Sequence, residues 1–313
     1  MDKIKISTRD AYGKALVELA EQFPKMIVLD ADLVGATKTA AFQKQYPERH
    51  FDCGIAEANM ACVAAGLATE GFIPVVSSFA IFASGRMYEQ IRNSIGYPNL
   101  NVKIVATHGG ISVGEDGATH QCSEDLALMR AIPNLKVICP SDAVETKAAL
   151  KAALLYQGPV YIRLGRSDLP VINDNDDYKF TLDKGIKLKD GKSVTIVATG
   201  LCVAEALKAS HLLLNDNIDA EIINIHTIKP IDSEILIQSA RKTGRVVVVE
   251  EHSIIGGLGE AVASVLSENL PVPVLKIGTP DVFGHSASAN ELLDEFSLTG
   301  EKIAQKVALW MRW

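Results

Sequence analysis

Short apolar runs alternate with longer amphipathic stretches along most of this chain, the pattern of strands and helices taking turns. Residues 26–29, 73–78, 102–106, 136–139 and 160–164 read as buried strands. Ser7 or Thr8 caps a helix running through Ala11, Leu16 and Leu19. The Ala- and Gly-rich stretch 56–69 has the small side chains of a helix packed closely on a sheet. Residues 84–95 read as one amphipathic helix with Met87, Ile91 and Ile95 on its buried face, ended by Tyr97-Pro98. Helices follow at 123–129 and after Ser141-Asp142. A polar stretch, 173–178, then breaks the pattern. Beyond it, strands at 193–199, 220–225, 245–250 and 273–277 alternate with helices at 204–214, 233–242 and 258–269. The expected fold is α/β, with two three-layer α/β/α domains at 1–172 and 191–313 joined by a linker at 173–190.

Composition narrows the class. With 313 residues, 48% of them hydrophobic and 22% charged, the chain has the profile of a globular enzyme with two ordinary domains. A net charge of −7 argues against a nucleic-acid surface, so an anionic substrate would need a locally basic pocket. The first residues hold no apolar run of signal-peptide length, and no run is long enough to span a membrane, so the cytoplasm is the expected location. Five scattered cysteines without metal-like spacing read as reduced thiols.

The candidate chemistry gathers in three places. Glu57 falls in the first turn of its helix, after the turn at Gly54; an acid there is favoured by the helix dipole whether or not it has a further role. Asp30-Ala31-Asp32 ends a strand, where open α/β sheets place ligands and where acids also cap turns. The strand 102–106 delivers a Gly-rich loop, 107–121, containing His108, Glu115, Asp116 and His120, with Ile111 and Val113 arguing for order. Glu250-Glu251-His252 and the glycines near Leu258 read as structural or interfacial.

The run Gly54-Ile55-Ala56-Glu57-Ala58-Asn59-Met60 and the loop Gly114-Glu115-Asp116-Gly117-Ala118-Thr119-His120-Gln121 together resemble the transketolases, and specifically the separate C-terminal subunit of a split transketolase. The resemblance runs nearly end to end: a pyrimidine-binding domain followed by a transketolase C-terminal domain. It implies thiamine diphosphate as cofactor, shared with an N-terminal partner subunit that binds the diphosphate and Mg2+ or a similar divalent ion. It implies transfer of a two-carbon ketol unit between sugar phosphates. Glu57 matches the glutamate that hydrogen-bonds the aminopyrimidine and favours its imino tautomer; an apolar pocket would help it hold a proton. Phe79 and Phe82 match an aromatic cluster, with Phe82 as the stacking face. Asp32 matches a cofactor-pocket aspartate. Asp116 and His120 match residues that bind sugar hydroxyls, His120 also standing among the catalytic groups. Arg9, His108 and Arg166 match the cluster that holds the sugar phosphate, where positive charge suits a dianion. Self-association with the partner into a heterotetramer is expected, with no role for nucleic acid or membrane.

The sequence departs from that family at Ala36, where a phosphate-site serine is expected, and at Gly85, where a tyrosine is expected. The metal-binding Gly-Asp-Gly motif is absent. Asp190-Gly191 with Asn215 is a near match, but Lys189 replaces the first glycine and the pair reads as a turn, so no metal site is expected here. Three alternatives remain: a 1-deoxyxylulose-5-phosphate synthase-like chain, a 2-oxoacid dehydrogenase beta-like subunit, and a non-catalytic module of the same fold.

Overall fold

The computed structural model describes residues 4–174 and 178–312, so 175–177 of the expected linker lie outside the described residues. The chain forms the expected α/β architecture with two mostly parallel sheets. The larger has seven strands in the order Thr227–Lys229, Lys136–Ile138, Val160–Arg163, Lys103–Thr107, Ile73–Phe79, Met26–Asp30, His50–Asp52. All neighbours are parallel except Thr227–Lys229, which pairs antiparallel. The smaller has five, in the order Val274–Thr279, Val246–Ser253, Val194–Ala198, Ala220–Asn224, Ile186–Lys189, with the last antiparallel. Lys5–Ser7 pairs separately with Asp168–Pro170.

Side chains of successive strand residues point to opposite faces, and both faces are covered. Val28, Val105 and Ile162 pack with Tyr12 and Leu16 of the helix Thr8–Leu19, while Leu29, Val76, Ile104 and Ala106 pack on the other side. That second core continues into the smaller sheet through Ile223, Ile225 and Val248. The opposite face, with Ile196, Val247 and Val249, is closed by Ile303 and Val307 of the helix Gly300–Met311.

One expectation needs correction. The single helix at 84–95 is three pieces: Ala80–Gly85, Tyr88–Gln90 and a wide π turn at Ile91–Gly96. Met87, Ile91 and Ile95 are all fully buried, as expected. A spacing of four drifts by about 40° per step around a 3.6-residue helix, and the three-piece path still keeps all three on the core side. The span 173–190 carries structure at both of its ends. Ile186–Lys189 is an edge strand, and the backbone N–H groups of Ile172 and Asn173 both donate to Asp142 Oδ2 at 2.8 Å.

Candidate active site

The carboxyl ends of five neighbouring parallel strands lie side by side, and the chain leaving each carries a residue singled out above. Asp32 follows Met26–Asp30, Glu57 follows His50–Asp52, Phe82 follows Ile73–Phe79, His108 follows Lys103–Thr107, and Arg166 follows Val160–Arg163. This is where open α/β sheets present side chains to a ligand.

Gly54, at φ +67°, makes the turn that starts the next helix at Glu57. Its N–H donates to Asp52 Oδ1 at 2.8 Å. No side chain caps the helix Glu57–Thr69, and Glu57 is only 4% exposed in its first turn. Its Oε1 accepts from Arg86 Nη1 at 3.1 Å, so a cation stands where an apolar surround was expected. The Arg86 guanidinium in turn lies over the Phe82 ring, 4.3 Å from its centroid.

Aromatic contacts connect the rest. The Phe79 and Phe82 rings stack with centroids 5.7 Å apart, and Phe79 stacks on His108 at 3.8 Å. His120 meets Phe82 edge-on at 5.7 Å and Phe79 at 6.4 Å. Thus Glu57, Phe79, Phe82, His108 and His120 form one continuous group.

His108 is buried and holds a left-handed backbone, φ +57°. Its Nε2 accepts from Arg9 Nη1 at 3.3 Å and its Nδ1 lies 2.8 Å from Thr107 Oγ1, which puts the ring proton on Nδ1. Burial, reinforced by the charges of Arg9 and Arg166, pushes its pKa down to about 3. His108 is therefore a neutral hydrogen-bonding ring, and the positive charge expected of this cluster resides in the arginines. Arg9 also donates to the Ala36 carbonyl at 3.2 Å. Arg166 donates to the Val113 carbonyl and lies 3.4 Å from Glu115 and 3.8 Å from Asp116. It thereby ties the acidic part of the loop to the end of the strand Val160–Arg163.

Asp32 is exposed, at φ +59°, and among the described residues its carboxylate makes no hydrogen bond to the Glu57 group. Asp30 is the buried acid, accepting from Ala31 N, Leu33 N, Thr37 Oγ1 and Thr39 Oγ1 at 2.8–3.0 Å. Of the two readings of this segment, Asp30 takes the capping one.

The second unit braces the loop. Glu251 Oε1 accepts from Ser112 N at 2.7 Å, and Arg163 Nη2 donates to the Glu251 carbonyl at 2.7 Å. Gly110 is essential to that approach, because a Cβ there would sit 2.2 Å from Glu251 Cδ. Gln121 Nε2 donates to the His285 carbonyl at 2.9 Å. The sequence marked Glu251 as structural or interfacial without its partners in the loop, and did not mark Arg86. The one available signal for Arg86 was Gly85, a missing aromatic beside an arginine.

Comparison with known proteins settles the family. Residues 4–171 match the model of the transketolase pyrimidine binding domain, and residues 183–303 that of the transketolase C-terminal domain. The chain belongs to the transketolase family. It is 52% identical to a Methanocaldococcus jannaschii protein provisionally named as a transketolase C-terminal section, over 96% of this chain and 94% of that one. It is 45% identical to the 6-deoxy-6-sulfo-D-fructose transketolase subunit SqwH of Clostridium sp. strain MSTE9, over 95% and 92%. A solved split-gene transketolase, described as an inactive beta4 tetramer, superposes with a TM-score of 0.89 at 52% identity, covering 98% of this chain and 99% of that one.

As a transketolase-family subunit, the chain fits half of a thiamine diphosphate site: a buried carboxylate beside stacked phenylalanines. A diphosphate leaves water readily only for a metal and fixed donors. Among the described residues, no group of three or more His, Cys, Asp or Glu could hold a metal. Asp190, in the near-match to the metal motif, is engaged by Lys242 at 2.6 Å and Lys187 at 3.4 Å. Nor, among the described residues, is any helix long and apolar enough to cross a membrane.

Proposed function

We propose that this chain is the C-terminal subunit of a cytoplasmic split transketolase, moving a two-carbon ketol unit between sugar phosphates. The reading divides it into a pyrimidine-binding domain (1–172), a linker (173–190) and a C-terminal domain (191–313). An N-terminal subunit supplies the metal and diphosphate contacts, and the two assemble as a heterotetramer. The observation that carries the reading is Glu57, buried at a helix start beside the Phe79–Phe82 stack at the carboxyl edge of the sheet.

Thiamine diphosphate, when bound, acts as the electron sink for carbon–carbon cleavage. This chain's residues do the positioning around it. Glu57 holds a proton at a ring nitrogen of the aminopyrimidine, and Phe82 offers the stacking face with Phe79 behind it. Asp32 stands at the cofactor edge. His120 and Asp116 face the sugar hydroxyls. Arg9 and Arg166 bind the terminal anion, with neutral His108 as a directional hydrogen-bond partner.

The test is reconstitution. The purified chain should show no ketol transfer and little affinity for thiamine diphosphate, since a bare diphosphate gives up its hydration only to a metal and fixed donors. Adding a Gly-Asp-Gly-bearing N-terminal subunit, magnesium and cofactor should restore transfer in a coupled assay. Full activity from the chain alone would refute the split arrangement. In the assembled enzyme, Arg166→Ala should raise KM for a phosphorylated donor by about 10- to 100-fold, a loss of about 1.5–3 kcal/mol, and affect an unphosphorylated donor far less. Equal losses on both donors would remove the phosphate role.

A further inference from the structure

Arg86 touches both groups that the proposed function assigns to the aminopyrimidine. Its Nη1 donates to Glu57 Oε1 at 3.1 Å while its guanidinium stacks 4.3 Å from the Phe82 centroid. A guanidinium is flat and edged with nitrogens, as an aminopyrimidine is, and meets a carboxylate and an aromatic face in the same way. Arg86 has a route to solvent. Its side chain is 53% exposed, it follows the end of the helix Ala80–Gly85, and beyond the adjacent residues and the helix's own backbone no atom lies within 4 Å of where a Cβ on Gly85 would stand.

We propose that Arg86 is a positioning residue that occupies the aminopyrimidine's place, holding the Glu57 carboxylate and covering Phe82 until thiamine diphosphate displaces it. The proposal rests on the reading of Glu57 and Phe82 given above. A half-exposed ion pair and a half-exposed cation–π contact each amount to a factor of a few, so breaking both weakens cofactor binding by about tenfold.

The experiment titrates thiamine diphosphate calorimetrically into the chain assembled with an N-terminal transketolase subunit and magnesium. Arg86→Met, which keeps length but loses charge and planarity, should bind the cofactor about tenfold more tightly than wild type. Arg86→Lys, which keeps charge without the planar face, should fall between them and keeps the test valid if the Met variant does not assemble. In 15N-arginine-labelled protein, the Nε–Hε signal missing from the Lys variant should move when cofactor is added. Unchanged or weaker binding by the variants, or a signal that stays in place, overturns the proposal and leaves the functional reading intact. A wild-type assembly that binds no thiamine diphosphate overturns both.

Discussion

Glu57 and Glu250 are both buried glutamates beside the start of a helix, and they are used in opposite ways. Glu250 Oε2 accepts from Leu258 N at 2.6 Å and its Oε1 from Gly259 N at 2.7 Å, so both oxygens hold the first turn of the helix Leu258–Asn269. Gly257 packs so closely that a Cβ there would sit 2.1 Å from the carboxylate. Burial raises the pKa of Glu250, but each of its oxygens is held by a backbone N–H and the residue is fully buried. Glu57 lies in its own helix's first turn and, among the described residues, accepts no backbone hydrogen bond and pairs only with the half-exposed Arg86 side chain. Burial alone therefore does not distinguish a reactive carboxylate from a structural one. The identity of the partner does: fixed backbone donors commit an acid to the fold, and a movable side chain leaves it available.

The contrast breaks first at Glu57. In the reconstituted enzyme, Glu57→Ala should slow hydrogen–deuterium exchange at the thiazolium carbon by at least about a hundredfold. It should leave stability within about 1 kcal/mol, because the Arg86 pair is open to water. Exchange at the wild-type rate would take Glu57 out of the mechanism. Glu250→Ala should do the reverse and cost about 3 kcal/mol in a urea melt, because two buried N–H groups lose their acceptor. An unshifted midpoint would show that those amides find other partners. The smallest effect is at Asp30, where burial outweighs four hydrogen-bond donors and pushes the pKa up to about 6. The folded state then holds the proton more tightly than the unfolded chain does. This contribution to stability, about 2–3 kcal/mol, is fully present below about pH 4 and lost as the pH rises through 6. Asp30→Asn should flatten that part of the stability-versus-pH curve, and an unchanged slope would assign it to other groups.

Much of this arrangement was legible in the sequence because it follows from period and from turns. Continuous apolar runs located the central strands, and Gly54 put Glu57 in a first turn. The family motifs then picked out His108 and His120, which the structure brings together with Phe79 and Phe82. Other features depend on contacts remote in sequence. The spacing of Met87, Ile91 and Ile95 looked helical, and only packing decides between an α turn and a π turn. Thr227–Lys229 and His50–Asp52 are too short to carry a pattern of their own. Arg86 resembled any surface arginine until Glu57 and Phe82 were placed on either side of it, and the neutrality of His108 follows from its burial, reinforced by its cationic neighbours.

The strand Thr227–Lys229 belongs in sequence to the second unit and in space to the first sheet, where it covers Lys136–Ile138. Lys229 Nζ fastens it further by donating to the Arg130 carbonyl at 2.9 Å. A polypeptide truncated after 190 would lose this cover and present Lys136-Val137-Ile138 as an unpaired sheet margin, a template for pairing with any other extended chain. The first unit expressed as a fragment should consequently aggregate through that margin, so the two family domains are not separable pieces of chain.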